Sequence, residues 1–238
     1  MNKITFNSYK NVTTCSIFLL SKKLILLQYL FYFSILSIRV RDMEVKLKFY
    51  YGAMGCGKTR KLQGDYYSKV EDGFKVIIIK PIIDTKGDNK TVARDGMELQ
   101  SDFLIKKEDN IYLTIASYLI NNTLDFILVD EAQFLEKHHI DELSDIVDIF
   151  GINVYCYGLR TDFKTSLFEG SQRLFEISDE LEPIDRQCNC GNKKIFNMRV
   201  ENGIPVFDGE QIAIDGIDAQ YESVCRKCYK KEKKRYQK

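Results

Sequence analysis

A chain of 238 residues with 45% apolar content and 12% aromatics can bury a substantial core, so disorder is not the default. With 35 basic and 34 acidic residues the formal net charge is +1, and no global field points to nucleic acid or to an acidic partner. The length suits one main domain with an appendage.

Residues 1–43 are apolar and free of acids until Asp42. The run LILLQYLFYFSILSI over residues 24–38 is shorter than the ~20 residues that a spanning helix needs, and Lys22 and Lys23 interrupt its extension. No clear small-x-small cleavage site follows it. Met43 precedes the first domain strand by two residues, so the segment reads as a dispensable leader. A targeting segment and a structured element are the alternatives.

VKLKFYY (45–51) has strand composition and runs into GAMGCGKT (52–59), which fits the phosphate-loop pattern GxxxxGK[ST]. Glycines at 52, 55 and 57 let consecutive N–H groups turn toward one anion. Lys58 can reach the β and γ oxygens, and the Thr59 hydroxyl can bind Mg²⁺. Leu62, Tyr66 and Val70 recur every fourth residue, which predicts a helix ending at Gly73. Strand, loop and helix together are the context that the motif requires, and a glycine-rich structural turn is the bland alternative.

FKVIIIKP (74–81) predicts a strand buried on both faces. DTKGDNKTVARDG (84–96) has loop composition. Ile111, Ile115, Tyr118 and Leu119 make one apolar helical face. TLDFILVDEAQF (123–134) contains the next buried strand, residues 141–150 form an amphipathic helix, and NVYCYGL (153–159) is a strand. Apolar strands alternating with helices predict an α/β fold, a mainly parallel sheet with crossover helices. Asp130 and Glu131 stand at the C-terminal end of a strand, where ligands of parallel sheets gather. One carboxylate there can orient a magnesium-bound water beside Thr59, and the other can accept a proton from an attacking hydroxyl.

Beyond residue 183 the texture changes to short strand-like pieces: KKIFNMRV, the turn ENG, IPVF and EQIAI, flanked by CNC (188–190) and CRKC (225–228). So small a unit needs a staple. Four thiolates from two short loops suit a structural zinc held by Cys188, Cys190, Cys225 and Cys228, with free thiols or disulfides as the alternatives. Cys56 and Cys156 read as small residues in place, Cys15 lies in the leader, and His138 and His139 have no spaced partner. The tail KKEKKRYQK reads as a solvated, frayed end. The expected layout is a leader at 1–43, a phosphate-loop α/β domain at 44–182, a small zinc-binding β domain at 183–229 and a basic tail at 230–238.

In order along the chain, YGAMGCGKT, VIIIKPIID, VDEAQF, YGLRTDF, CNCG, FNMRV, DGEQI and Y-x₃-CRKCY resemble the type II thymidine kinase family over residues 45–230. The resemblance implies transfer of the γ-phosphate of ATP to the 5′-hydroxyl of thymidine or deoxyuridine, giving dTMP for DNA precursor salvage. It implies that Gly52, Ala53, Met54, Gly55, Cys56, Gly57, Lys58 and Thr59 cradle ATP-Mg²⁺, that Asp84 and Asp130 serve the metal, and that Glu131 is the catalytic base. Met54, Phe134, Leu159, Phe163, Phe168 and Tyr221 match positions around the nucleoside, Tyr221 in a lasso loop anchored by Zn²⁺. A cytoplasmic homotetramer inhibited by dTTP is implied as well, with no nucleic acid as partner and no membrane for the core domain.

Three departures stand out. The first cysteine pair is C-x-C instead of C-x₂-C. The lasso's usual I-G-G reads Ile214-Asp215-Gly216, and Lys86 replaces an arginine. A phosphate-loop ATPase with a zinc ribbon acting on nucleic acid is the rival reading, but it needs a second motor lobe or a basic groove, which this length and balanced charge do not offer.

Overall fold

The computed structural model describes residues 44–82, 90–92, 98–211 and 219–236. Residues 1–44 and 45–238 separate as two units, and only the second is described beyond its edge. Among the described residues no helix is long and apolar enough to cross a membrane. The leader and its apolar run lie outside them.

Six parallel strands form the main sheet, in the order β5-β2-β6-β7-β1-β8: β1 (Leu47–Gly52), β2 (Val76–Pro81), β5 (Phe103–Ile105), β6 (Phe126–Val129), β7 (Asn153–Leu159) and β8 (Glu180–Pro183). The strand side chains alternate between the two faces, as the period of two requires. Leu47, Phe49, Ile77, Ile79, Ile127, Val129, Val154 and Cys156 face one core. This core also takes in Ile111 and Ile115 from α2 (Ile111–Leu119), Ile140, Leu143 and Ile146 from α3 (Lys137–Phe150) and Leu174 from α4 (Glu169–Ile177). Tyr50, Ile78, Leu128 and Tyr157 face the other side, where α1 (Lys58–Glu71) supplies Leu62. Helices on both faces explain why the central strands read as unbroken apolar runs. Truncating a fully buried member such as Ile127 or Leu62 to alanine should cost about 2–5 kcal/mol.

The exposed edge is managed by charge and by proline. Lys46 pairs with Glu180 at 2.5 Å, Lys48 pairs with Glu180 at 2.8 Å and also with Glu182, and Pro183 ends β8, where no ladder donor is needed.

The second sheet is antiparallel, in the order β10-β9-β11, from β9 (Phe196–Glu201), β10 (Ile204–Val206) and β11 (Ala219–Val224). Met198, Val200, Phe207 and Tyr229 make its small core, the last from α5 (Arg226–Tyr236).

Several expectations change in detail. Val70, expected on the buried face of α1, is 45% exposed, because the helix turns that position away from the sheet. Inside the stretch read as loop (84–96), residues Lys90–Val92 form β3, which pairs with β4 (Glu98–Gln100) just beyond it, since a two-stranded ribbon supplies partners for a polar backbone. The amphipathic helix begins at Lys137, four residues before the apolar pattern does. There His139 accepts the Glu136 N–H at Nδ1 (3.2 Å), while Nε2 bonds the Asp109 carbonyl (3.0 Å). His139 is therefore buried in a local role, at the start of that helix. The basic tail does not fray at residue 230: α5 runs to Tyr236, pinned at its start by Tyr229, whose hydroxyl donates to the Phe163 carbonyl at 2.7 Å. The expected strand EQIAI falls mostly outside the described residues.

Candidate active site

The segment Gly52–Thr59 links β1 to α1. Gly57 has φ 99°, a conformation that disfavours any side chain, and it immediately precedes the first helical residue, Lys58. The loop's N–H groups thus lead into a helix N-terminus, which favours an anion. The Lys58 ammonium is buried and donates to the Ala53 carbonyl at 3.0 Å, which holds it over the loop. Gly52 approaches its neighbour closely: a Cβ there would lie 2.7 Å from the Ile184 carbonyl oxygen.

Asp130 and Glu131 follow directly after β6. In the sheet order β7 alone separates β6 from β1, so the acid pair and the phosphate loop emerge at the same C-terminal edge. Asp130 is buried. Its carboxyl is pushed up to about 6, first by desolvation and then by the charge of Glu131, while Lys80 and the Glu131 N–H pull the other way. A carboxylate left short of positive charge suits a hard divalent cation, so the residues fit Mg²⁺. Glu131 has φ 52°, left-handed and uncommon for a residue with a side chain. Its Oε2 accepts from Gln133 Nε2 at 2.6 Å, and Gln133 Oε1 in turn accepts the Leu159 N–H at 2.8 Å. One glutamine therefore fixes the expected base against β7. Gly158 leaves room for it, since a Cβ at 158 would lie 3.0 Å from Gln133 Oε1.

The expected nucleoside residues are distributed over several elements. Leu159 is the register partner of Gly52. Phe134 meets Phe168 edge-on, with ring centroids 5.5 Å apart. Gly170 brings α4 close under this turn, since a Cβ there would lie 2.5 Å from the Leu135 carbonyl oxygen. Phe163 is buried to 1% exposure beneath the Arg199 guanidinium, 5.2 Å from its ring centre, so it supports the site from within the core. Tyr221 lies on β11 opposite Arg199, on a strand and not in a loop. Asp84, Lys86 and the stretch Ile214-Asp215-Gly216 lie outside the described residues.

Cys188, Cys190, Cys225 and Cys228 converge, with all their sulfur atoms within 4.8 Å of one another. Separations of 3.4, 3.5 and 3.9 Å match the edge of about 3.8 Å expected for a tetrahedron with Zn–S of about 2.3 Å, and are far longer than a disulfide of about 2.0 Å. The Asn192 backbone N–H and side chain pull the Cys190 thiol down to about 6, while the neighbouring cysteines, Cys190 first, push Cys228 up to about 12. Sulfur atoms gathered this closely are what a shared cation holds as thiolates. Cys156 is inert, its thiol raised by full burial.

The family model for thymidine kinase matches residues 45–229. The chain belongs to the thymidine kinase family. It is 42% identical over 189 residues to the thymidine kinase of Mannheimia succiniciproducens, covering 79% of this chain and 96% of that one. It is 41% identical to the thymidine kinase of Legionella pneumophila strain Paris, with 78% and 90% covered, and 38% identical to that of Francisella tularensis subsp. holarctica, with 78% and 96% covered. In this thymidine kinase family member the fold brings four further side chains to the site. Gln133 was legible within DEAQF. Arg186 donates to the Gly55 carbonyl at 2.7 Å, and Asn197 and Ser223 bond Met54; each meets the loop from more than 130 residues away in the chain, a contact that no local pattern announces.

Proposed function

We propose that the chain phosphorylates thymidine with ATP, releasing ADP and dTMP. The observation that carries this reading is the phosphate loop and the buried acid pair at one edge of a parallel sheet, in a member of the thymidine kinase family. Lys58 and the loop N–H groups bind the β and γ phosphates, and Thr59, Asp130 and Asp84 hold Mg²⁺, which when bound neutralises charge on those phosphates. Glu131 takes the proton of the 5′-hydroxyl as that oxygen bonds to the γ-phosphorus, and the bond from that phosphorus to the bridging oxygen of ADP breaks. Gln133 supports the reading by keeping the Glu131 carboxylate in place.

Met54, Phe134, Leu159, Phe163, Phe168 and Tyr221 shape the nucleoside site. It accepts thymidine and deoxyuridine, excludes purines by size and rejects deoxycytidine, whose 4-amino donor would leave buried polar groups unpaired. Zinc on Cys188, Cys190, Cys225 and Cys228 staples the 183–229 unit beside the 44–182 kinase domain, with the leader before and the basic tail after. The enzyme is a cytoplasmic homotetramer of DNA precursor salvage, inhibited by dTTP. Family membership weighs against the nucleic-acid ATPase. A purified-protein kinase assay over a nucleoside panel tests the reading: thymidine should lead, and a comparable kcat/KM for deoxycytidine would overturn the specificity while leaving the kinase activity standing.

A further inference from the structure

The phosphate loop is gripped from outside its own strand and helix. Asn197, in β9, and Ser223, its register partner across β11, both reach Met54. The Met54 N–H donates to Asn197 Oδ1 at 2.7 Å, and the Ser223 hydroxyl donates to the Met54 carbonyl. The Met54 N–H and C=O are therefore both held by side chains of the small sheet. Asn197 is 1% exposed, and its other end is also engaged: Nδ2 donates to the Thr161 carbonyl at 2.9 Å. Thr161 lies between Leu159 and Phe163. A single buried amide thus spans from the phosphate loop, at Met54, which also borders the nucleoside site, to the segment that carries Leu159 and Phe163.

We infer that Asn197 is a positioning residue that fixes the separation of the two substrates, with Ser223 seating the same loop residue; this rests on the thymidine kinase reading above. Phosphoryl transfer needs the 5′-oxygen and the γ-phosphorus about 3–3.5 Å apart and in line, and a misplacement of about 1 Å can cost on the order of 10²-fold in rate. Asn197 touches neither reacting atom. Its loss leaves each half-site able to bind its own substrate but lets the halves drift, so the deficit falls on kcat and not on the separate affinities.

The test is Asn197→Leu, close in size but unable to make either bond, alongside Ser223→Ala and the double variant. For each, kcat is measured with ATP and thymidine, and binary dissociation constants for ATP alone and thymidine alone are taken by equilibrium dialysis, well below the variant's melting temperature. The expected result is a kcat loss of roughly 10- to 100-fold for Asn197→Leu, with both binary constants within about 3-fold of the parent. Ser223→Ala should show a smaller loss of the same kind. Because both side chains act on one residue, the double variant should fall less than the product of the single losses. Normal kcat in Asn197→Leu, or a kcat loss matched by an equal loss of ATP or thymidine affinity, would overturn the inference. If Asn197→Leu does not fold, Ser223→Ala decides by the same split. A parent protein inactive on thymidine would sink the functional reading instead.

Discussion

Asp130→Asn should separate stability from activity in one substitution. The change keeps the side chain's shape and the Oδ1 acceptor of the Glu131 N–H, 3.1 Å away, while removing the charge. In the metal-free protein, burial and then the charge of Glu131 raise this carboxyl from 3.8 to about 6. At about 1.4 kcal/mol per pKa unit, keeping Asp130 ionised costs the fold on the order of 3 kcal/mol. The sign follows from the direction of the shift. A raised carboxyl binds its proton more tightly in the folded state, so its stability contribution is complete below about 4 and is lost as pH rises through about 6. Asparagine carries no such dependence. The variant should therefore melt roughly 5–10 °C above the parent at pH 7–8 in the presence of a chelator, and the difference should shrink to nothing below about pH 4. Thymidine phosphorylation should be lost by at least about 100-fold. Differential scanning calorimetry across pH reads the first quantity. A variant less stable than the parent at pH 8, or a difference that does not change with pH, would refute the reasoning.

Glu131→Gln keeps size and hydrogen bonding to Gln133 but removes the expected base, so kcat should fall about 10²-fold or more with modest change in ATP affinity; near-normal turnover would reassign the base. Lys58→Ala should damage ATP binding and turnover together, read as a raised KM for ATP with a lowered kcat. Metal analysis should find about one zinc per chain, and replacing any of the four clustered cysteines with serine should lower zinc content, melting temperature and nucleoside affinity together; less than about half an equivalent in carefully prepared protein would count against the site. A chain starting at Met43 should fold and turn over like the full length, because the phosphate loop needs only the strand that begins at Leu47; an insoluble or inactive truncation would show that the leader packs on the domain.

Chemistry that depends on neighbours in the chain was legible in the sequence. GAMGCGKT sets its own loop because consecutive N–H groups need only local backbone freedom, and DEAQ carries both the acid pair and the glutamine that seats it. The strands β2, β6 and β7 announced themselves as apolar runs, since a strand covered on both faces has no polar side to show. Short edge pieces such as β5 and β8 did not, because three or four residues paired on one side carry little periodicity. Nor did the sequence hold the exposure of Val70, which depends on how α1 is rotated over the sheet. The depth of Phe163 and the raised carboxyl of Asp130 are likewise products of burial, which is a sum over the whole fold. The grip of Asn197 on Met54 joins residues 143 apart in the chain. No local propensity encodes such a contact: the asparagine meets a backbone N–H to accept from only where the tertiary fold lays the small sheet against the phosphate loop.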